Sequence, residues 1–169
     1  MLDCLINAET AKDRDAVANV HRLAFGRDDE GRLVERLRDS GLTEISLVAR
    51  LGLQIVGHIL FSRLPIVTPG GVTTALALVP LAVLPDLQRQ GIGSQLVRSG
   101  LEECRSAGYR VVVVLGHPEF YPRFGFSAKL AAPLESPFSG DAFMAAELVP
   151  RALSGLRGVV QYPPPFFDV

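Results

Sequence analysis

The sequence predicts a mixed α+β (α/β) domain, and three observations carry that expectation. Two amphipathic helical stretches come first, a hairpin follows, and the second half runs strand, helix, strand, short turn, strand. An apolar run ending at Pro85 feeds a helix through Gly-Ile-Gly at 91–93. Four consecutive valines, 111–114, read as a central strand because β-branched side chains suit a buried pleated surface. The 169 residues suit one domain, expected to span 1–169 with an irregular C-terminal extension from about 150.

Residues 2–8 read as a short first strand. Residues 11–26 read as a helix, with Ala16, Val20, Leu23 and Ala24 at helical spacing, Asp13 or Asp15 serving its N-terminus and Gly26 ending it. The acidic joint Asp28-Asp29-Glu30 leads into a second helix that turns Leu33, Val34 and Leu37 inward and stops at Gly41. Ile45, Leu47 and Ala49 then alternate with Ser46, Val48 and Arg50, Gly52 marks a turn, and 55–64 form the return strand. Residues 65–74 read as a loop and 75–85 as an apolar strand covered on both faces. Pro80 removes a ladder donor inside that strand, so a bulge or an edge is expected there. The next helix runs from Gly91 or Ile92 to about Ala107, with Ile92, Leu96, Val97, Leu101 and Cys104 as its buried stripe and Gly108 as its stop. After the valines come one helical turn and a turn at Gly125, a loop over 128–140, a strand over 142–149, a short helix over 150–156 and a strand over 158–162. The Pro-Pro-Pro-Phe-Phe end is expected to lie extended on the surface, sealing a groove or a homodimer contact.

Formal charge is −1, which lacks the electrostatic footprint of a protein that grips many phosphates, so no nucleic-acid partner is expected. The N-terminus carries no basic region or long apolar run, and no stretch approaches a membrane span. A cytoplasmic protein without a membrane partner follows. Cys4 and Cys104 form neither a disulfide framework nor a metal cluster, and no metal is expected.

The Gly-Ile-Gly joint carries the chemistry. A strand feeding a helix through glycines gathers unpaired N–H groups, and the helix dipole adds about half a positive charge there. Gly91 and Gly93 lack a Cβ, so a bulky anion can approach the main chain, and Arg89 adds a charged fork. These features point to a phosphate group, and to a pyrophosphate in particular. A P-loop is excluded because no Gly-Lys-Ser/Thr follows. A dinucleotide fold would need a third glycine near Leu96 and a carboxylate closing the next strand, which instead ends Leu115-Gly116-His117. A plain helix N-terminus with convenient glycines is the other reading of the same residues.

"QRQGIG" at 88–93 matches the Gln/Arg-x-x-Gly-x-Gly/Ala signature of the GNAT superfamily of acyl-CoA N-acyltransferases, and "LAV" at 81–83 and "FYPRFGF" at 120–126 match two further features at the usual spacing. The chain resembles that family over most of its length, and within it a group of small bacterial YhbS-like proteins. The resemblance implies a GNAT fold: a central, mostly antiparallel sheet with splayed strands and helices on both faces. It implies acetyl-CoA as co-substrate and no metal. The N–H groups of Gln88, Arg89, Gln90, Gly91, Ile92, Gly93 and Ser94 would hold the pyrophosphate, and the backbone of Leu81, Ala82 and Val83 would pair with the pantetheine arm. A bulge near Pro80 would splay this strand from the next, with a backbone N–H there facing the oxyanion.

The reaction implied is acetyl transfer to a primary amine of an unknown small-molecule or peptide acceptor, by direct attack. Tyr121 falls where the family places the acid that protonates the departing thiolate; its other reading is an aromatic packed near Phe120 and Phe124. Several members carry a Glu or His base on the strand before the signature, but 75–81 is wholly apolar here. Glu30 and His117 are the acceptor-side candidates, followed by Glu119, His58 and His21. A non-catalytic acyl-CoA binding module is the alternative.

Overall fold

The computed structural model describes residues 1–138 and 140–168. Its elements are β1 (Leu5–Ala8), α1 (Arg14–Phe25), α2 (Asp29–Asp39), β2 (Thr43–Leu51), β3 (Gln54–Thr68), β4 (Gly71–Val83), α3 (Ile92–Ser106), β5 (Val111–Leu115), α4 (Ala128–Ala131), β6 (Leu134–Glu135), β7 (Phe143–Glu147) and β8 (Gly158–Val160). The sheet runs β1-β2-β3-β4-β5-β7, with β8 pairing both β3 and β6. Only β4–β5 and β6–β8 pair in parallel; the other ladders are antiparallel. The α+β class expected from the element order is therefore the one observed.

Helices cover both faces. On one, α3 buries Ile92, Leu96, Val97, Leu101 and Cys104 against Leu47, Phe61, Leu76 and Val112, the stripe that its 3.6-residue period predicts. Each fully buried aliphatic side chain there contributes about 1.5–3 kcal/mol relative to exposure. On the other face, α1 packs Val17 and Val20 on Val48, Ile55 and Ala82. Beside it, α2 packs Leu33, Val34 and Leu37 on Leu60, Val79 and Phe166.

Six expectations change. The α1 stripe is Val17, Val20 and His21, while Leu23 is 51% exposed, because the helix rolls to bring His21 inward. Asp29 and Glu30 belong to the first turn of α2, not to a joint. Residues 65–74 are strand, not loop: β3 extends to Thr68 and β4 starts at Gly71, closed by a Pro69–Gly70 turn. Pro65 is tolerated because its carbonyl still accepts from the Gln161 N–H. Residues 150–156 form turns rather than a helix, 128–140 contain α4 and β6 rather than loop alone, and the end closes as a 3₁₀ turn over Pro164–Phe167.

Candidate active site

The site begins where β4 leaves β5. Their pairing covers Leu76–Val112, Ala77–Val113 and Leu78–Val114 and stops there. On the other edge of β4, Ile59 pairs with Leu81 but Phe61 with Leu78, so Val79 and Pro80 together oppose Leu60. That extra residue is a β-bulge, which bends its strand and raises the local twist. Beyond it, among the described residues, Leu81, Ala82 and Val83 pair only with β3, and their far edge is open. The Leu84 N–H donates to Val56 on β3, while the Val83 carbonyl accepts from the Gln88 side-chain amide at 3.0 Å. Main-chain groups alternate along a strand, so Val83 and Leu81 face the open edge and Ala82 faces β3.

The open edge runs into the glycine joint. Gln88 spends its N–H on the Pro85 carbonyl, but among the described residues the N–H groups of Arg89, Gln90, Gly91, Ile92, Gly93 and Ser94 meet no protein acceptor. Gly91 caps α3 at φ +89° and Arg89 adopts φ +63°, a left-handed conformation that a non-glycine residue holds at a cost of about 1–2 kcal/mol. The two reversals fold a row of donors into a concave nest at the positive end of a helix. A Cβ at Gly93 would point toward Phe120 Cζ at 3.7 Å and Val83 Cγ2 at 3.9 Å, tying this turn to the aromatic segment after β5. The residues present suit a diphosphate group.

Tyr121 starts the 3₁₀ turn Tyr121–Phe124 and lies over Gly116 at the end of β5. The contact requires glycine: a Cβ at position 116 would collide with the Tyr121 ring. Phe120 and Phe126 hold the ring edge-on at 5.0 and 5.6 Å between centroids. Burial raises the phenol to about 12, and among the described residues nothing hydrogen-bonds its hydroxyl. Tyr121 therefore keeps its proton throughout the neutral range.

The acceptor-side candidates fare differently. Glu30 takes a two-point contact from Arg27, at 2.6 Å to Nη2 and 3.0 Å to Nε. Arg27 holds its carboxyl below the usual range. His117 and Glu119 are exposed, and the His117 carbonyl anchors the turn by accepting from the Phe120 and Tyr121 N–H groups. The structure does not gather Glu30 and His117 into one cluster. The cleft itself is lined by Val79 on the bulge and by Phe138, Tyr162 and Phe166 from the C-terminal third, of which Phe166 lies in the end expected to seal a groove.

The profile of the acetyltransferase (GNAT) domain matches residues 6–128. The chain belongs to the GNAT acetyltransferase family. It is 35% identical over 161 residues to uncharacterized N-acetyltransferase YhbS of Escherichia coli (strain K12), covering 94% of this chain and 95% of that protein. The crystal structure of Escherichia coli YhbS in complex with CoA superposes with a TM-score of 0.89 at 33% identity, over 99% of this chain and 94% of that one. A GNAT acetyltransferase from Brucella melitensis in complex with acetyl-CoA superposes at 0.80 and 32% identity, over 97% and 98% of the two chains. As a GNAT protein the chain is an acetyl-CoA-dependent acyltransferase.

This GNAT chain also buries a polar relay that the sequence did not suggest. Arg38 pairs with Glu9 and Glu35. The Ser46 hydroxyl donates to Glu9 at 2.5 Å, so its oxygen accepts from His58 Nε2–H at 2.7 Å. His58 Nδ1 then accepts from His21 Nε2–H at 2.8 Å, and among the described residues His21 Nδ1 has no partner. Burial pulls both imidazoles below their ordinary range, His21 to about 3, so both are neutral and the 3.4 Å approach of His58 to Glu9 is no ion pair. Burial alone would raise Glu9, but hydrogen bonds from His58, Arg38 and Ser46 outweigh it and hold the carboxyl at about 2. His58 and His21, weak candidates for a base, are held too acidic to take a proton from an ammonium.

Proposed function

We propose that this chain transfers the acetyl group of acetyl-CoA to a primary amine by direct attack of the neutral nitrogen on the thioester carbon. One observation carries the reading: the unpaired N–H groups of Arg89 to Ser94 lie at the same end of β4 where that strand parts from β5. The bound coenzyme supplies an activated acyl thioester. Arg89, Gln90, Gly91, Ile92, Gly93 and Ser94 bind its phosphates, Gln88 fixes the turn through the Val83 carbonyl, and Leu81 and Val83 offer main-chain partners to its amide arm. Ala82, facing β3, only sets their register. A phenol held at about 12 keeps its proton throughout the neutral range, so Tyr121 gives a hydrogen bond to the leaving sulfur.

The same reading treats residues 1–169 as one domain acting in the cytoplasm on a small-molecule or peptide amine, without a nucleic-acid or membrane partner. The formal charge of −1 supports this, as does the lack of any described helix long and apolar enough to cross a membrane.

Calorimetry with CoA and a thiol-release assay over a panel of amines test the proposal. CoA binds and at least one amine releases free thiol. Tyr121→Phe lowers turnover about tenfold or more and leaves CoA affinity unchanged. Unaltered turnover removes Tyr121 from the reaction, and CoA binding without thiol release from any amine describes an acyl-CoA binding module instead.

A further inference from the structure

We propose that the acceptor is an arylamine, a primary amine borne directly on a single uncharged aromatic ring, seated in the cleft between β4 and β5. The inference rests on the acetyl-transfer reading above and names its substrate class. A cavity of about 200 Å³ opens where the two strands stop pairing, lined by Ala77, Leu78, Val79, Val113, Val114 and Leu115 and walled by Phe138, Tyr162 and Phe166. On the α3 face the fork is filled by Tyr121, Phe120 and Phe126. The wall residues Tyr162 and Phe166 pack on the opposite face with Ala77, Val79 and Val113, which leaves that side for the attacking nitrogen. The wall is itself a set of ring contacts, Phe138 to Tyr162 at 4.9 Å and Tyr162 to Phe166 at 5.1 Å between centroids, both edge-on. Leu115 is half exposed at the mouth.

Size, polarity and the lack of a base converge on one chemistry. A dry apolar cavity of ~150 Å³ holds one benzene ring, so this one admits a ring and a small substituent. Among the described residues, no residue of the lining carries a charge, and the Tyr162 hydroxyl is its only side-chain polar atom. An alkylammonium, with a pKa near ~10, would enter charged and require both a counter-carboxylate and a base to neutralise it. The lining offers neither, Glu30 is engaged by Arg27, and His21 and His58 are sequestered in the relay. An arylamine shares its lone pair with the ring and is neutral at pH 7, so it needs neither. The nitrogen forms the amide bond to the acyl carbon, the carbon–sulfur bond breaks with its electron pair on sulfur, and the one proton lost by nitrogen ends on the thiol. No net proton is released.

Thiol release is compared for aniline, benzylamine, spermidine and a lysine peptide, with CoA binding measured in parallel. Aniline is turned over fastest, at a rate flat between about pH 6 and 9 and without acidification of a weakly buffered solution. Ala77→Leu, which fills the cavity, raises the KM for aniline at least tenfold and spares the KM for acetyl-CoA. Tyr162→Ala, which opens the wall, does the same should the first variant fold poorly. Preference for spermidine or the peptide, or indifference of aniline turnover to both variants, overturns the proposal. CoA binding with no acetylation of aniline sinks the acceptor assignment alone, whereas absence of CoA binding sinks the acetyl-transfer reading with it.

Discussion

Two regions of this molecule concentrate polar groups, and they treat them in opposite ways. At the turn before α3, the N–H groups of Arg89 to Ser94 stand together without protein partners, on a segment whose Gln88, Arg89 and Gln90 side chains are exposed. Beneath α1, Arg38, Glu9, Ser46, His58 and His21 form a buried chain joined by hydrogen bonds and ion pairs, in which His21 Nδ1 is the fully buried atom left without a partner among the described residues. Water satisfies the first set until an anion replaces it; nothing but the protein can satisfy the second. Titratable residues such as histidine are therefore poor guides to chemistry here, and bare backbone is the better one. The buried chain fastens α1 and α2 to the sheet through side chains, while the exposed turn is kept open by glycines and one left-handed arginine.

The contrast can be broken from either side. Glu9→Ala strips the Arg38 guanidinium of its most buried partner, and stability falls by about 3 kcal/mol, the low end for a broken buried pair because Glu35 remains. The urea midpoint reads that loss, and CoA affinity of the folded protein stays within about twofold; a matching fall in affinity would mean the two regions are coupled. Gly93→Glu works in reverse. Its carboxylate competes for the free N–H groups, CoA affinity drops about a hundredfold, or about 2.7 kcal/mol, and the midpoint barely moves, since a Cβ at 93 meets only ordinary contacts.

Acid gives the smallest and most graded effect. His21 at about 3, and His58 with it, lie below the ~6.5 of an unfolded chain, so the unfolded state takes up protons first as pH falls. Stability is complete above pH ~6.5 and declines on acidification toward the folded value, by about 1.4 kcal/mol per pH unit for each neutral histidine. Glu9, held at about 2 against ~4.3 unfolded, adds its own loss only below that unfolded value. Thermal melts of His21→Phe between pH 7 and 5 should show about half the wild-type slope; an unchanged slope would mean that the imidazole is not kept neutral.

Much of this was legible in the residues. The α3 stripe, the valine strand and the Pro80 bulge followed from local pattern, because each signal lies within a few positions. The 65–74 segment was misread because Pro65 and Pro69 resemble loop markers, whereas pairing with β8 and the return of β4 keep it extended. His21 was missed as a buried residue because its partner lies 37 positions away, and helical spacing alone favoured the Leu23 face. Of the aromatic wall, Phe166 belongs to the Pro-Phe end expected to seal a groove, but Phe138 and Tyr162 carried no such signal, since they reach the cleft only through the tertiary fold.

The Pro69–Gly70 turn that closes β3 on β4 stands at the far end of β4 from the phosphate-binding turn, up to about 40 Å along a strand that rises ~3.3 Å per residue. Both turn residues are exposed, so a cysteine written in as Gly70→Cys provides a handle for a fluorescent dye. The native thiols compete poorly: burial pushes Cys104 up to about 12 and raises Cys4 as well. The labelled protein would report tumbling and self-association by anisotropy with its chemistry undisturbed.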